Sequence, residues 1–464
     1  MDTPQPEAST SLETMHVNVN SGEASSSSIS TLRLDSVTLI RHRHRYRHRW
    51  IPSQQYRLRN SLLAAVGYLE LANAGDFPAN VWNEVPVPLY AAILMGFGGT
   101  LALIMSYFAF KDARLSWRNL CLLREERYNL IVQQGAADPE KCHENGCVDV
   151  KSIHSQLEIN LREMGTEIVD RVGMDILLGW GAIMVGIGTL MAIGGANRKV
   201  WFASNLLSGY IGNSPAAIYG LVNMLWSTYI WTRADRHGIA AKKELDIDTV
   251  ERYLTPRLRH IKLHAFVNGI TGMVAGMASL VTATRWWGYV VLVPCIISSV
   301  WCNYFWRRAI GYERPFLQHQ MRLSKSSLLC ALQACSSTRQ ALEEVKSSTS
   351  GRSTAETAST ALCKLISDPT SLAQVLEFIV DNDLLEDFCI RMLQNEQLAT
   401  ELFQLADAEA VTISAEQLLK ADSRYTSQVL EIATQCVVDL GQQHFLYRER
   451  FLIETLGVIC VEKN

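Results

Sequence analysis

Pro88–Phe110 reads PLYAAILMGFGGTLALIMSYFAF, without one charged side chain. At 1.5 Å per residue such a helix is long enough for the ~30 Å hydrocarbon core of a bilayer. Four further segments follow: Met174–Ala196 (MDILLGWGAIMVGIGTLMAIGGA), residues 215–232, His264–Thr284 and Trp286–Trp306. The expected fold class is therefore all-α: a multi-span transmembrane helical bundle of about five spans, 88–110, 174–196, 215–232, 264–284 and 286–306, with a cytosolic all-α C-terminal domain. Tyr90, Trp201, Trp231, Trp286, Trp287 and Trp306 gather near the ends of these segments, where amphipathic rings favour the headgroup level.

The basic residues orient the segments. Lys111, Arg114, Arg118, Arg124 and Arg127 follow the first span, Arg233, Arg236, Lys242 and Lys243 the third, and Arg307, Arg308 and Arg314 the fifth. The opposite side has only Arg198, Lys199 and Arg285. Simple alternation then puts every basic loop and the C-terminus in the cytosol. Five spans leave the N-terminus outside, together with the run RHRHRYRHRW of Arg41–Trp50. That is awkward, because no cleavable signal is expected: Asp2, Glu7, Glu13 and Glu23 interrupt the first residues and no apolar h-region follows. The stretch Ser61–Ala74 (SLLAAVGYLELANA) is the alternative sixth crossing. It spans only about 21 Å as a helix and would bury Glu70, so an interfacial helix is preferred there.

At 464 residues the chain is long enough for several units. Residues 1–56 read as a disordered Ser-rich tail carrying the Arg/His run. Residues 57–310 carry the transmembrane region, with a cytosolic helical hairpin at 111–172. Within it, Ile153, Leu157, Leu161, Met164, Ile168 and Val172 recur at helical spacing and lead into the second span. Residues 316–464 read as a helical cytosolic domain, its Cys330, Cys335, Cys363, Cys389, Cys436 and Cys460 mostly on apolar faces, as reduced core residues would be. The net charge of −3 decides nothing, because acidic and basic residues are segregated along the chain.

Candidate sites are few. Between Lys199 and Arg233 roughly 33 residues carry no charge, about 50 Å if helical. Helix breakers at Ser208–Pro215 divide them, so the segment should read helix, break, helix. Irregular backbone at membrane depth survives where it is buried or lines a wet cavity. Asn205, Ser208, Tyr210 and Asn213 are thus candidates for a small polar pocket, against an interfacial helix and tight turn. Gly272 and Gly276 form a GxxxG face for helix packing inside the bundle, with a homodimer as the competing use. Cys142, His143, Cys147 and His154 have zinc-compatible chemistry but no CxxC knuckle, and an ordinary polar loop is preferred. Asp246-Ile-Asp248 lies among no strands and reads as a chance DxD. No metal, cofactor or nucleic-acid partner is expected, and no nucleophile–base pair suggests an enzyme.

The Ser-rich tail, Trp286–Pro315 (WWGYVVLVPCIISSVWCNYFWRRAIGYERP) and Ser204–Pro215 (SNLLSGYIGNSP) together resemble uncharacterised integral membrane proteins of filamentous fungi over residues 80–315. The resemblance implies no activity and no functional residue. The leading expectation is a non-enzymatic scaffold or adaptor, held in the lipid bilayer and recruiting a cytosolic protein through residues 316–464. The alternative is a transporter or channel for a neutral or lipid-like solute, since the spans show almost no ionisable group.

Overall fold

Helices that are apolar on every side must be surrounded by lipid or by one another, and in the computed structural model of the chain both surroundings are provided for. The structure describes residues 36–462 apart from 45–46, 56, 60–65, 83–86, 137–149, 315–323, 349–362, 364, 404–408 and 421. Four helices are long and apolar enough to cross a membrane: Leu89–Gly135, Ser152–Ala192, Ile247–Thr282 and Trp287–Ile310. Ile93, Phe97, Ile104, Phe266, Val290 and Ile297 stand exposed along them, an apolar exterior suited to lipid tails and unsuited to water.

The bundle begins with a short pair, α1 (Val66–Asn73) and α2 (Phe77–Val81), joined by a 3-10 turn. α3 (Leu89–Ala136) runs far beyond its apolar half. α4 (Val150–Thr166) passes through a π turn at Glu167–Gly173 directly into α5 (Met174–Ala192). α6 (Arg198–Asn205) and a second π turn (Leu206–Ile211) precede α7 (Ser214–Glu244). After a one-turn helix α8 (Ile247–Thr249), α9 (Thr255–Thr282) and α10 (Trp287–Phe305) form an antiparallel pair closed by the tight turn near Arg285. α7 is absent from the four apolar helices because Asn223, Ser227, Thr228 and Thr232 dilute it and Arg233 follows. Its Ile218, Leu221 and Leu225 are nonetheless as exposed as their counterparts on α3.

Small residues let the helices meet. A Cβ on Gly220 of α7 would collide with the carbonyl oxygen of Gly272 on α9, and one on Gly276 would lie 2.8 Å from that of Ala216. The GxxxG face of Gly272 and Gly276 is thus spent inside the bundle. Asn223 Nδ2 donates to the carbonyl of Asn268 (3.1 Å), and Asn268 Nδ2 donates to Asn223 Oδ1 (3.0 Å), locking the same contact.

Three expectations are corrected. First, residues 36–44 and 47–52 are not a disordered tail. β1 (Ser36–His44) and β2 (Arg47–Pro52) form an antiparallel hairpin, and β1 also pairs with β3 (Ala410–Ser414). Val37 and Leu39 point inward, fully buried, while Thr38 and Ile40 face outward, which is the two-residue period of a half-buried strand.

Second, the C-terminal region is neither all-α nor separate. Its helices are α11 (Lys325–Ser348), α12 (Leu372–Asp381), α13 (Leu385–Gln394), α14 (Glu396–Phe403), α15 (Ala415–Leu419) and the long α16 (Ser423–Glu462), with β3 between α14 and α15 in the chain. Their core includes Phe388, Val437 and Leu456 and is continuous with Val37 and Leu39 of β1, Ala241 of α7 and Leu254 before α9.

Third, α1 is packed into the bundle. Leu69 is fully buried and Glu70 and Asn73 nearly so, with α1 packed against α3, α5 and α10. Just before it, the Arg59 amide donates to Asn119 Oδ1 (3.3 Å); just after α2, Trp82 meets Tyr90 edge-on with centroids 5.5 Å apart. Asn119 and Tyr90 both belong to α3 and lie roughly 43 Å apart along it. The chain from Arg59 to Trp82 therefore traverses the bundle. The pairing of β1 with β3 brings residues near both described ends together.

Gly220→Ala should push α7 from α9 and lower the thermal unfolding midpoint in detergent, at a cost of about 1–3 kcal/mol for overpacking. Gly96→Ala, where an added Cβ meets nothing within 4 Å, should leave the midpoint unchanged.

Candidate functional site

The helix break expected near Ser208–Pro215 exists, at Gly212-Asn213 between the second π turn and α7, and Pro215 takes its favoured place in the first turn of α7. It does not make a pocket of the expected residues. Ser208 Oγ donates to the carbonyl of Ser204 (2.9 Å) and Asn213 Nδ2 to that of Gly209 (3.1 Å). Asn205 is half-buried and Tyr210 exposed. The segment instead lies close against α5, where a Cβ on Gly188 would come within 2.7 Å of the Ser208 amide. Of the four residues only Asn213 reaches a chemically interesting neighbour, Asp76.

Asp76 belongs to a set of buried acids that none of the candidate sites read from the sequence included. It is 1% exposed, accepts from the Tyr289 hydroxyl at 2.7 Å and from Asn80 Nδ2 at 2.9 Å, and closes the 3-10 turn after α1. One turn and a half earlier, Glu70 is bonded to Ser299 of α10, yet its Oε2 has no partner. Asp175, at the start of α5, is fully buried, and neither of its carboxylate oxygens finds a hydrogen bond. Deeper toward the sheet end, Arg171 lies 3.2 Å from Glu167 and 3.5 Å from Asp112, and it donates to the carbonyl of Arg59.

Tyr219, 2% exposed, stands within electrostatic range of Asp170, Glu70 and Asp175. It helps line a cavity of about 60 Å³ with Asp170, Arg171, His264, Ser299 and Asn303. That cavity shares Thr166, Asp170, His264, Asn268 and Trp306 with a second of about 80 Å³, which opens at the end of the bundle beneath α16. Polar and ionisable groups thus follow one another from the sheet end to Asp76 near the other end. Unpartnered carboxyls are costly inside any apolar bundle, and within a membrane they mark pathways for protons or ions.

The sheet-end mouth is closed by ion pairs. Arg314, 3% exposed, donates from Nε to Glu163 (3.0 Å) and from Nη1 to Glu126 (2.9 Å). Arg162 Nε donates to Glu454 Oε1 of α16 at 2.8 Å, and the Tyr312 hydroxyl donates to Oε2 at 2.6 Å. Arg233 Nη2 approaches the same carboxylate at 3.9 Å. Burial pushes the Glu454 carboxyl up, but Arg162, Arg233 and Tyr312 outweigh it and bring its pKa from 4.5 to about 2.

Other sequence candidates have structural roles. Asp246 caps α8, its Oδ2 accepting from the Thr249 amide at 2.9 Å. Cys142, His143 and Cys147 lie outside the described residues, and His154 is 2.7 Å from Glu462. Among the described residues no group of three His, Cys, Asp or Glu side chains is arranged to hold a metal. Glu70 and Asp76 have a sequence signature in retrospect: two acids about 12 to 18 residues ahead of the first long apolar run, in a stretch rich in Leu and Ala. Neither a family model, a curated protein nor a solved structure matches the chain.

Because the folded pKa of Glu454 is depressed, its stabilising contribution is complete above the unfolded value near 4.5 and is lost as pH falls toward 2. At about 1.4 kcal/mol per pKa unit this amounts to about 3 kcal/mol. Glu454→Gln should lower stability near neutral pH by that order and flatten the loss between pH 4.5 and 2, as read by denaturation in detergent.

Proposed function

We propose that this chain is a multi-pass, non-enzymatic membrane protein that carries protons or small cations along the buried acids of its bundle, as a channel or a coupled transporter. The carrying observation is that Glu70 and Asp175 are buried among helices of membrane-crossing length with carboxyl oxygens left unpartnered. Evolution retains such groups in apolar surroundings chiefly where ions or protons pass. The transporter reading anticipated from sequence is thereby kept, with its neutral solute replaced by a charged one. Cavities around Tyr219 and beneath α16 offer water a place along the route.

In this reading the bilayer is crossed six times, by α1–α2, α3, α5, α6–α7, α9 and α10. Both ends face the cytosol, on the side of Lys111, Arg118, Arg233 and Arg308. Pairing of β1 with β3 supports an even number of crossings. It also relieves the Arg/His run of any need to be translocated. The adaptor reading draws less support, because α11–α16 turn their apolar faces into a core shared with β1 and α7.

Purified protein reconstituted in liposomes should pass protons or monovalent cations down an imposed gradient, followed by an internal pH or cation dye. Glu70→Gln and Asp175→Asn should each reduce the rate at least tenfold while leaving the elution profile of the protein unchanged. Wild-type rates equal to those of empty liposomes would overturn the reading. Tags at the two ends should be digested together when protease is added to one side of sealed vesicles; digestion of only one would overturn the six-crossing arrangement.

A further inference from the structure

The ion pairs at the sheet-end mouth do not use up the arginines gathered there. The cleft of about 80 Å³ between α4, α7, α9 and α16 is lined by Arg162, Arg233 and Arg257, against Glu454 and Asp170. Arg162 is fully engaged by Glu454 and Tyr312. Arg257 is 6% exposed; its Nη1 and Nη2 donate to the carbonyls of Ala309 (2.7 Å) and Ile310 (2.6 Å), while Nε has no partner. Arg233 spends Nη1 on the carbonyl and carboxylate of Glu158 (3.2 and 3.4 Å), and its buried Nη2 makes no hydrogen bond, standing 3.9 Å from Glu454.

A buried guanidinium N–H without an acceptor is expensive, and here two of them line one cleft from different helices. His237, which also lines it, adds no charge near neutral pH, since burial and then Arg233 lower its pKa to about 4. The acceptor that suits the remaining donors is anionic and presents oxygens in more than one direction. A carboxylate offers two oxygens in a plane to one guanidinium fork, whereas a phosphate offers oxygens to donors on separate elements at once. The rest of the wall is apolar, with Trp226, Leu258, Ile261 and Trp306. Room for several water molecules is room for one tetrahedral anion.

We propose that this cleft binds a phosphate group, held by Arg233 Nη2 and Arg257 Nε beside the resident carboxylate of Glu454. Arg233 and Arg257 flank the apolar parts of α7 and α9, at the level where phospholipid headgroups lie in the six-crossing arrangement. The phosphate is therefore either that of a lipid whose chains rest on the tryptophan wall or that of a soluble anion entering beneath α16. The site depends on the membrane placement only for this choice of source, and it requires no ion flux.

Binding is measured on the purified full chain without any gradient, so its outcome is independent of the liposome experiment. Thermal unfolding is followed in detergent against increasing inorganic phosphate, with sulfate-free chloride at equal ionic strength as reference. In parallel, it is followed in nanodiscs of phosphatidylcholine with and without phosphatidic acid. A saturable rise in the unfolding midpoint with inorganic phosphate assigns a soluble anion, and one with phosphatidic acid assigns a lipid; either supports the site. Arg233→Gln, at a half-buried position, should weaken that binding at least tenfold, as should Arg257→Lys, which keeps the charge but removes Nε. Arg252→Gln, exposed and outside the cleft, should bind as the wild type does. No saturable rise with either source, or equal affinities for Arg233→Gln and Arg252→Gln, overturns the proposal.

Discussion

Arg314 between Glu126 and Glu163 is the interaction on which the remainder leans. Its guanidinium emerges just after α10, and its two acceptors stand on α3 and α4. One buried side chain therefore ties three parts of the bundle. The group carries one positive and two negative charges, and Arg162, 3.7 Å from Glu163, restores the balance while reaching Glu454 on α16. Burying such charges costs several kcal/mol each unless every member is paired. The geometry is consequently unforgiving: displacing α16 would strand Arg162, and through it Glu163 and Arg314.

Above this charged end the bundle is held by different means. Lipid tails are as apolar as leucine, so helices in a bilayer gain little from hiding methyl groups and rely on close contact and hydrogen bonds. Gly220 against Gly272, Gly75 against Gly98 and Gly99 against Gly186 bring backbones together at three crossings. Asn223 and Asn268 add a reciprocal amide pair at the first of these. Tight packing on one side and surplus polarity on the other leave the acids around Tyr219 in a rigid frame with small voids beside them.

Much of this was legible from the chain. The long helices could be read because a charge-free run such as 88–110 admits few alternatives, and the helical stripe of Ile153–Val172 continues into α5 as its spacing requires. The short pair α1–α2 is hard to read from sequence for an energetic reason: Glu70 makes its burial look too costly, yet the side chain is buried. Residues 36–44 were obscured by the Arg and His around them, although Val37 and Leu39 alternate correctly for a strand. Their partner strand is remote, and pairing between remote segments leaves no local periodicity. The same holds for Arg162 with Glu454 and Arg314 with Glu126, whose members are separated by 292 and 188 residues. Asn213 stands at the break its sequence marks, but its side chain also bonds Asp76, a neighbour remote in sequence.

The sheet also constrains how the molecule comes into being. Thr38 of β1 bonds Thr412 of β3 across 374 positions of sequence. Ribosomes extend a chain by about 5–20 residues per second, so β1 emerges roughly 20–75 seconds before its partner exists. During that interval the hairpin presents an unpaired edge, with Val37 and Leu39 uncovered, while the helices between are being made. Contacts of such high order form late and slowly, and this one can form only after every helix up to α14 has been made. Truncation anywhere before residue 410 would therefore leave a nascent chain with an open strand edge, a template for aggregation and a ready target for the cell's quality control.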